Sequence, residues 1–425
     1  MLKDIFKKIG LYFLLFVGLS QQLLAKNITV YLDYATLPAL NTLLDFSQNK
    51  DDRSTVRIFG LSRFPLSQEI VDQYPAGVIK VAKMKRNDQT DFDQLLFKEI
   101  EDSKETVNLT IYANLTWAAK MLSPLAAYMN THPNKVKIKH LYLYDDGSGD
   151  YLALYQNRNK NIQQELEQAE KLLPYLLVAK EKEFSAEQFN LPVFYRYVWH
   201  KSVPTTYIML RPDYLTKDPL MQPLKTYLGD RIEQMDWRKY QHLTAEQQQF
   251  FLQLVGFTPE IKHSLEIKQK KFVFTGTTTW LGDSKDREYY AKAQTNILNN
   301  FIQPKGALYI GEGYQNYFKG HPRGLDINDY ILVHTKGLIN IPANIPFELL
   351  IMTDLLPEKV GGMASSLYFS LPEKNISHLI FTTSKEVKTA LDAFNTDLLK
   401  MMLLLEIVKP EQVVFWDQLP QLSIN

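Results

Sequence analysis

Two adjacent carboxylates, Asp145 and Asp146, follow a stretch of alternating polar and apolar residues at 137–144. Alternation with a period of two predicts a half-buried strand, and the Asp-Asp-Gly-Ser sequence after it predicts the turn that ends the strand. In open α/β sheets, ligands bind outside the carboxyl ends of the strands. A carboxylate there is well placed to act as a general base. The other interpretation of this segment, taken alone, is a solvated Asp-Gly turn without chemistry.

A second candidate is His321, in the turn at residues 319–324 between Lys319 and Arg323. Gly and Pro shape the backbone of this turn, and two cations flank the imidazole. Such a loop suits the binding of an anionic group such as a phosphate. An ordinary surface loop with a neutral histidine is the competing interpretation.

Glu348 and the segment at residues 361–366 are candidates for holding a nucleotide. Two glycines lead into Ser365 and Ser366, and backbone N–H groups with serine hydroxyls at a helix start can hold a phosphate. The segment is neither a G-x-G-x-x-G nor a Walker A motif, and a plain helix cap explains it equally well. Glu348 begins a predicted helix, where its carboxylate either complements the helix dipole or accepts hydrogen bonds from a ribose diol.

A hydroxyl-rich turn at residues 275–280 ends at Trp280, whose ring is suited either to stacking on a sugar or to packing in a core. No metal site is predicted. The eight histidines show no H-x-x-x-H spacing, and Asp145, Asp146 and Asp150 lack a convincing set of further ligands.

The elements that must position these residues alternate between strands and helices. Strands are predicted at residues 28–32, 56–60, 77–82, 107–112, 137–144, 272–274, 308–310, 379–381 and 413–415. Helices are predicted at residues 37–46, 91–100, 117–129, 161–177, 287–301 and 347–352. This alternation is typical of parallel, doubly wound sheets. Two such units in succession predict an α/β fold of two Rossmann-like domains that face each other across a central cleft.

A chain of 425 residues is too long for one ordinary core. A charged stretch that meets a Leu-Pro pair at 191–192 sets the predicted boundary. The first domain is then residues 26–190 and the second is residues 191–404, with residues 405–425 as a candidate segment for completing the first domain.

Composition excludes several classes of function. The hydrophobic content of 45% and charged content of 22% are those of a soluble globular protein. A net charge of +1 provides no field that would attract nucleic acid. The absence of cysteine excludes disulfides, thiolate metal sites and cysteine nucleophiles.

The N-terminal segment, residues 1–25, has a different character from the rest. Lys3, Lys7 and Lys8 precede an apolar run at residues 9–19, and Ala25 is a small residue suited to cleavage. This pattern predicts a secretory signal peptide, with a retained N-terminal anchor as the alternative.

Several motifs in the same order resemble the bacterial sialyltransferases of the GT-B type. The motifs lie at residues 144–148, 319–322 and 365–366, and further similar stretches lie at residues 31–33, 57–64, 274–280 and 340–348. The resemblance extends over about residues 28–421, nearly all of the chain after the N-terminal segment.

The resemblance implies a glycosyltransferase that moves sialic acid from CMP-sialic acid to a galactose-terminated oligosaccharide or glycolipid, with inversion and without a metal or other cofactor. It implies that Asp146 is the general base. It assigns the CMP phosphate to His321, Ser365 and Ser366. For the donor nucleoside it assigns Glu348 to the ribose and the backbone of Lys319 and Gly320 to the cytosine.

On the acceptor side, the resemblance assigns Arg63, Trp117 and Trp280. Three positions depart from the family pattern: Trp117 stands in place of a histidine, Tyr34 in place of a proline and Gly149 in place of a methionine. Because these positions border the acceptor, they bear on linkage. An α2,3 linkage is favoured, and α2,6 is the alternative.

Together with residues 1–25, the resemblance predicts a location in the bacterial cell envelope, with a lipooligosaccharide-type glycolipid as the candidate acceptor. Because CMP-sialic acid is made in the cytoplasm, a freely exported enzyme would lack its donor, whereas an inner-membrane anchor facing the cytoplasm would keep it supplied.

Two other functions fit the same fold. A non-catalytic nucleotide- or sugar-binding module would bind CMP without turnover. A GT-B glycosyltransferase with another nucleotide-sugar donor would be stabilised by bound UDP or GDP rather than by bound CMP.

Overall fold

The computed structural model describes residues 25–84, 88–116, 118–176, 193–278, 284–382 and 390–422. The predicted leader up to residue 24 lies outside these ranges, as do Trp117 and Trp280.

Two parallel sheets form the framework of the described chain. The strands of the first sheet are β1 Lys26–Asp33, β2 Val56–Leu61, β3 Ile79–Val81, β4 Val107–Asn114, β5 Val136–Tyr144, β6 Thr205–Met209 and β7 Ile232–Gln234, and their order is β3-β2-β1-β4-β5-β6-β7. The strands of the second sheet are β8 Lys270–Thr275, β9 Tyr314–Lys319, β10 Ile339–Ile341, β11 Lys359–Met363, β12 Ile376–Phe381 and β13 Val413–Phe415, and their order is β10-β9-β8-β11-β12-β13. The predicted pair of Rossmann-like α/β domains is confirmed.

Helices connect the strands. They are α1 Thr36–Gln48, α2 Gln68–Val71, α3 Thr90–Glu101, α4 Ala118–Thr131, α5 Ser148–Asn157, α6 Ile162–Leu176, α7 Tyr214–Lys217, α8 Gln222–Leu228, α9 Ala245–Leu254, α10 Pro259–Leu265, α11 Ser284–Ile302, α12 Leu325–His334, α13 Glu348–Met352 and α14 Ala390–Leu404. No helix among the described residues is both long enough and apolar enough to cross a membrane.

Burial on both faces explains why most of the central strands could be recognised in the sequence. Parallel strands that are covered on both sides read as nearly continuous apolar runs. The last five residues of β2 are buried, and so are Phe272, Val273 and Phe274 in β8. Arg57 in β2 is the polar exception, and its guanidinium donates hydrogen bonds to the carbonyls of Asn49 and Asp52.

The first sheet extends beyond the predicted boundary at residue 190. β6 pairs with β5, and β7 pairs with β6, so residues up to Gln234 belong to the first sheet. Strand β13, within the segment considered for the first domain, pairs with β12 in the second sheet. The alternation of strands and helices does not encode which sheet a strand joins, which is why composition alone misplaces this division.

Residues 308–310 do not form the predicted strand. They follow the end of α11, where Leu308 N and Ile310 N donate to the carbonyls of Asn300 and Phe301. Their apolar side chains are partly buried against the core of the second domain, which accounts for the strand-like pattern. The strand at this point of the sheet is β9, directly before the turn with His321.

The two domains are joined by packing and by hydrogen bonds near α5. Tyr151 in α5 stacks on Phe369 of the second domain with ring centroids 5.9 Å apart. Arg211, which follows β6, donates to the carbonyl of Leu405 at 2.9 Å. Gln156 in α5 donates to Asp397 in α14 at 3.2 Å. The Asp146 loop, which precedes α5, is therefore held close to the second domain.

The Phe369 side chain should contribute strongly to stability, because it is only 2% exposed and packs between the domains. We expect Phe369→Ala to lower the free energy of unfolding by about 3 kcal/mol through lost burial and a new cavity. Tyr289→Ala is the control, because Tyr289 is 59% exposed and should change stability by less than about 0.5 kcal/mol. Denaturant unfolding measures both, and equal effects would contradict the interface described here.

Candidate active site

Polar residues gather at the carboxyl ends of three neighbouring strands in the first sheet. In the register of the sheet, Leu32 pairs with Ala113 and Asn114 pairs with Tyr144. Asp33, Asn114 and Asp145 therefore stand next to one another at the ends of β1, β4 and β5. This is the edge at which parallel α/β sheets bind ligands.

Asp145 is a buried anchor of this edge. It is 1% exposed and accepts hydrogen bonds from Leu210 N at 2.8 Å, from Gly147 N at 3.1 Å and from the Tyr151 hydroxyl. Burial raises the pKa of Asp145 to about 7, although the bond from Tyr151 acts in the opposite direction. Asp145 thus ties the end of β5 to the end of β6 and to α5, and it is not available to substrate.

Asp146, in contrast, is exposed at the cleft, and its backbone is fixed from behind. The Asp146 N–H donates to Oδ2 of the buried Asp150 at 2.7 Å. Oδ1 of Asp150 accepts from Thr116 at 2.8 Å and from Arg196 at 2.5 Å. A held backbone with an accessible carboxylate is the arrangement that a general base requires.

In the second domain, the Lys319 side chain braces two loops. Its Nζ donates to the carbonyls of Ala343 at 2.8 Å and Pro342 at 3.3 Å. Burial lowers the pKa of Lys319 to about 8, and the nearby Glu348 carboxylate counteracts this shift. The ammonium group also donates to the carbonyl of Gly320 at 3.3 Å, so it joins the His321 turn to the segment before α13.

His321 is a neutral donor in this structure. Its Nδ1 accepts the N–H of Arg323 at 3.1 Å, so the ring hydrogen lies on Nε2. Burial lowers the pKa of His321 to about 4, and the charges of Arg323, Lys319 and Arg63 lower it further. Arg63 belongs to the first domain, so its charge acts on His321 from across the cleft.

Gly320 is required by close packing. A β-carbon built on it would lie 2.2 Å from Cγ of Asn328, which is far inside van der Waals contact. Asn328 in α12 donates through Nδ2 to the carbonyl of His321 at 3.0 Å. The glycine therefore permits Asn328 to hold the turn that carries His321.

Glu348 and the two serines lie on the same side of the cleft. Glu348 begins α13, is buried, and accepts a hydrogen bond from Ser370 at 3.3 Å. Burial raises the pKa of Glu348, against the lowering effect of its own backbone amide, Ser370 and Lys319. The Ser365 hydroxyl caps the short 3-10 helix Ser366–Ser370 by accepting from Leu367 N at 3.4 Å.

The two halves of the site meet at Gly147. Its φ of +78° is readily adopted by glycine, and a β-carbon built there would lie 3.8 Å from Cβ of Ser366. The loop with Asp146 therefore lies against the serine pair of the opposite domain. The structure brings the loop that carries Asp146 against Ser366, and the charge of Arg63 acts on His321, whereas Trp117 and Trp280 lie outside the described residues.

The sequence analysis gave no positioning role to the residues that hold the Asp146 loop. Asp150, Tyr151 and Asn114 lie behind the Asp146 loop, and only their proximity in the chain to strand ends could have drawn attention to them. Among the residues that the structure describes, no group of three or more His, Asp or Glu side chains is arranged to hold a metal ion.

The Gly320–Asn328 contact can be tested by a double-mutant cycle. Gly320→Ala should displace Asn328 and the His321 turn, and we expect it to weaken CMP binding about tenfold. Asn328→Ala is the matched control, because it removes the side chain that the new methyl group would strike. In calorimetric titrations with CMP, the double variant should bind no worse than Asn328→Ala. Additive losses would contradict the proposed clash.

The two parallel-sheet domains, with the site in the cleft between them, define a glycosyltransferase fold of the GT-B type. A family model described as sialyltransferase PMO188 matches residues 28–409. The chain belongs to this sialyltransferase family and is an enzyme of that class.

Solved structures agree with this assignment. One is a 2,6-sialyltransferase from a Photobacterium species, crystallised with the donor product CMP and the acceptor substrate lactose. It is 33% identical with a TM-score of 0.83, and the match covers 93% of this chain and 80% of that enzyme. The GT-B domain of a sialyltransferase from Photobacterium damselae is 34% identical with a TM-score of 0.80, and the match covers 92% of this chain and 99% of that domain. An α/β-galactoside α-2,3-sialyltransferase from Photobacterium phosphoreum is 26% identical with a TM-score of 0.75, and the match covers 92% of this chain and 99% of that enzyme. A search of curated proteins finds no match.

Proposed function

We propose that this sialyltransferase transfers sialic acid from CMP-sialic acid to a terminal galactoside with inversion, and that Asp146 is the general base. The observation that carries the proposal is the contact between the Asp146 loop and Ser366 across the cleft. In this contact, the loop of an exposed carboxylate in one domain lies against a serine of the other domain. A similar Photobacterium enzyme was crystallised with CMP and lactose, which supports this choice of donor and acceptor.

The chemistry follows from this opposition. The acceptor oxygen forms a bond to the anomeric carbon while the bond from that carbon to the phosphate oxygen breaks. The acceptor proton passes to Asp146, and the electron pair of the broken bond remains on the phosphate of CMP. The Nε2–H of His321 and the hydroxyls of Ser365 and Ser366 stabilise the charge that develops there. A base and a leaving-group site on opposite domains favour a single displacement with inversion.

The nucleoside is assigned to the second domain. Glu348 accepts hydrogen bonds from the ribose, and the backbone of Lys319 and Gly320 faces the cytosine. The brace from Lys319 to Ala343 supports this assignment, because it fixes the His321 turn relative to the segment that leads to Glu348. Glu348 is buried, so its carboxylate is already desolvated. Binding a diol therefore costs it less desolvation free energy than it would cost a solvated carboxylate.

On the acceptor side, we assign Arg63, Trp117 and Trp280, with transfer to the 3-hydroxyl of galactose. The electrostatic effect of Arg63 on His321 supports a position at the junction of donor and acceptor. Transfer to the 6-hydroxyl is the second candidate, because the 2,6-sialyltransferase is 33% identical and the α-2,3 enzyme is 26% identical.

We also propose that no metal or other cofactor is needed, because the imidazole and two serine hydroxyls supply the electrophilic groups at the phosphate. The proposed location is the bacterial cell envelope, with the N-terminal segment as an export signal or as an inner-membrane anchor, and with a lipooligosaccharide-type glycolipid as the acceptor.

The role of Asp146 is tested by Asp146→Asn. This change removes the base but keeps the shape of the side chain, so we expect transfer from CMP-sialic acid to lactose to fall at least about a hundredfold while CMP binding persists. Asp91→Asn, at an exposed acid on α3, is the matched control and should retain activity. Unchanged transfer in Asp146→Asn would exclude this residue as the base.

The same assay, run with chelator and followed by NMR of the product, separates the remaining candidates. A 3′-linked product in the presence of chelator is the expected result. A 6′-linked product would assign the alternative linkage, and loss of turnover on chelation would contradict the metal-independent mechanism. Stabilisation of the enzyme by bound UDP instead of bound CMP would indicate another donor. Binding of CMP without turnover would indicate a binding module.

A further inference from the structure

Asp33, at the end of β1, is a buried carboxyl group that the mechanism above does not use. It is 1% exposed. Its Oδ1 accepts a hydrogen bond from Ala35 N at 2.5 Å, and among the described residues no donor meets its Oδ2 with hydrogen-bonding geometry. A buried oxygen left without a partner is costly, and it calls for a physical explanation.

Among the described residues, the groups with the largest effects on Asp33 are neutral or negative. The backbone amides of Tyr34 and Ala35 lie before α1, the Asn114 side-chain amide lies at the end of β4, and the Asp146 carboxylate lies beyond β5. On the side of β2, Ser62 N donates to the backbone carbonyl of Asp33 rather than to its side chain. Burial raises the pKa of Asp33 well above its usual range, the charge of Asp146 raises it further, and the three amide groups lower it.

A second negative charge beside Asp146 would be strongly disfavoured. A buried carboxylate without a cation beside it pays most of its desolvation cost, and a like charge nearby adds repulsion. Two carboxyl groups in this relation titrate as a pair and retain one proton between them over a range of pH. The free Oδ2 of Asp33 is the oxygen that can carry that proton without losing the bond from Ala35.

We propose that Asp33 is a positioning residue for the base: it holds the single proton of a two-carboxyl pair with Asp146, so that Asp146 carries the one negative charge of the pair at the cleft. This inference rests on the proposed role of Asp146. The donor carries a carboxylate and a phosphate, so a second charge in the pair would repel it. The shared proton therefore keeps the base ionised and the cleft receptive to an anionic donor.

The competing explanation is that Asp33 only caps the turn before α1 through Oδ1. The two explanations differ for Asp33→Asn, which keeps an oxygen for Ala35 N and replaces the second oxygen by a permanently neutral NH₂ donor. A capping role predicts that the pH profile of the variant runs parallel to that of the wild type. A shared proton predicts that its shape changes.

The experiment is the pH dependence of kcat/KM for CMP-sialic acid. The wild type should lose kcat/KM on the alkaline side as the shared proton leaves, with the loss mainly in donor KM. In Asp33→Asn that limb should disappear or move up by at least about one pH unit, with kcat near neutral pH within about threefold of wild type. Parallel profiles would overturn the proposal.

Asp45→Asn is the matched control. Asp45 is a half-buried carboxyl group of the first domain with a raised pKa, caused first by desolvation. It accepts hydrogen bonds from the hydroxyls of Tyr31 and Tyr112 at 2.7 and 2.9 Å. This variant should keep the wild-type shape of the profile. Loss of the alkaline limb in Asp45→Asn as well would remove the assignment to Asp33.

A measurement on the wild type keeps the proposal testable if Asp33→Asn does not fold. In carbon-13 NMR of aspartate-labelled enzyme, the Asp33 carboxyl carbon should have the shift of a protonated acid at pH 7, and its titration midpoint should fall in Asp146→Asn because a neighbouring negative charge is gone. An ionised Asp33 at pH 7, or a midpoint unchanged by Asp146→Asn, would overturn the proposal. This readout needs no turnover, so it distinguishes failure of the pair from failure of the proposed transferase activity.

Discussion

The burial of Asp145 is the interaction on which the rest of the site depends. This carboxyl group accepts from the backbone of the β6 end and from its own loop, and it accepts from Tyr151 in α5. Tyr151 in turn stacks on Phe369 of the second domain. One buried residue thus ends β5, turns Asp146 outward and links the loop to the opposite domain. Loss of these partners would leave a buried carboxyl group without hydrogen bonds, because water does not reach it.

The two domains contribute different chemistry, and the reason lies in their strand ends. The first sheet ends in carboxyl groups and an amide at Asp33, Asn114 and Asp145, which suits the handling of a proton. The second sheet leads into a lysine-braced turn with a neutral imidazole, which suits the stabilisation of a leaving phosphate. The Asp146 loop lies against Ser366 at Gly147, so the two sets of groups meet in the cleft.

Much of the fold could be predicted because parallel strands buried on both faces leave a readable apolar pattern. Such a pattern does not state which sheet a strand joins, and the predicted boundary at residue 190 places residues 205–209 and 232–234 in the second domain, although β6 and β7 extend the first sheet. It also does not distinguish a strand from an apolar segment packed on a helix end, which is why residues 308–310 were misread. The paired aspartates were found from their types and position. Their division into one buried and one exposed carboxyl group depends on hydrogen bonds to Asp145 from Leu210 and Tyr151. Leu210 is distant in the sequence. Tyr151 lies in a helix that the turn-like composition at residues 145–148 does not indicate.

The central claim is that a base on one domain faces a phosphate site on the other. A crystal structure of the enzyme with CMP tests it most directly. The account predicts the phosphate about 3 Å from His321 Nε2 and from the hydroxyls of Ser365 and Ser366, with the Asp146 carboxylate across the space where the sugar attaches. A phosphate held by other residues, or an Asp146 carboxylate on the same side as the phosphate, would contradict it.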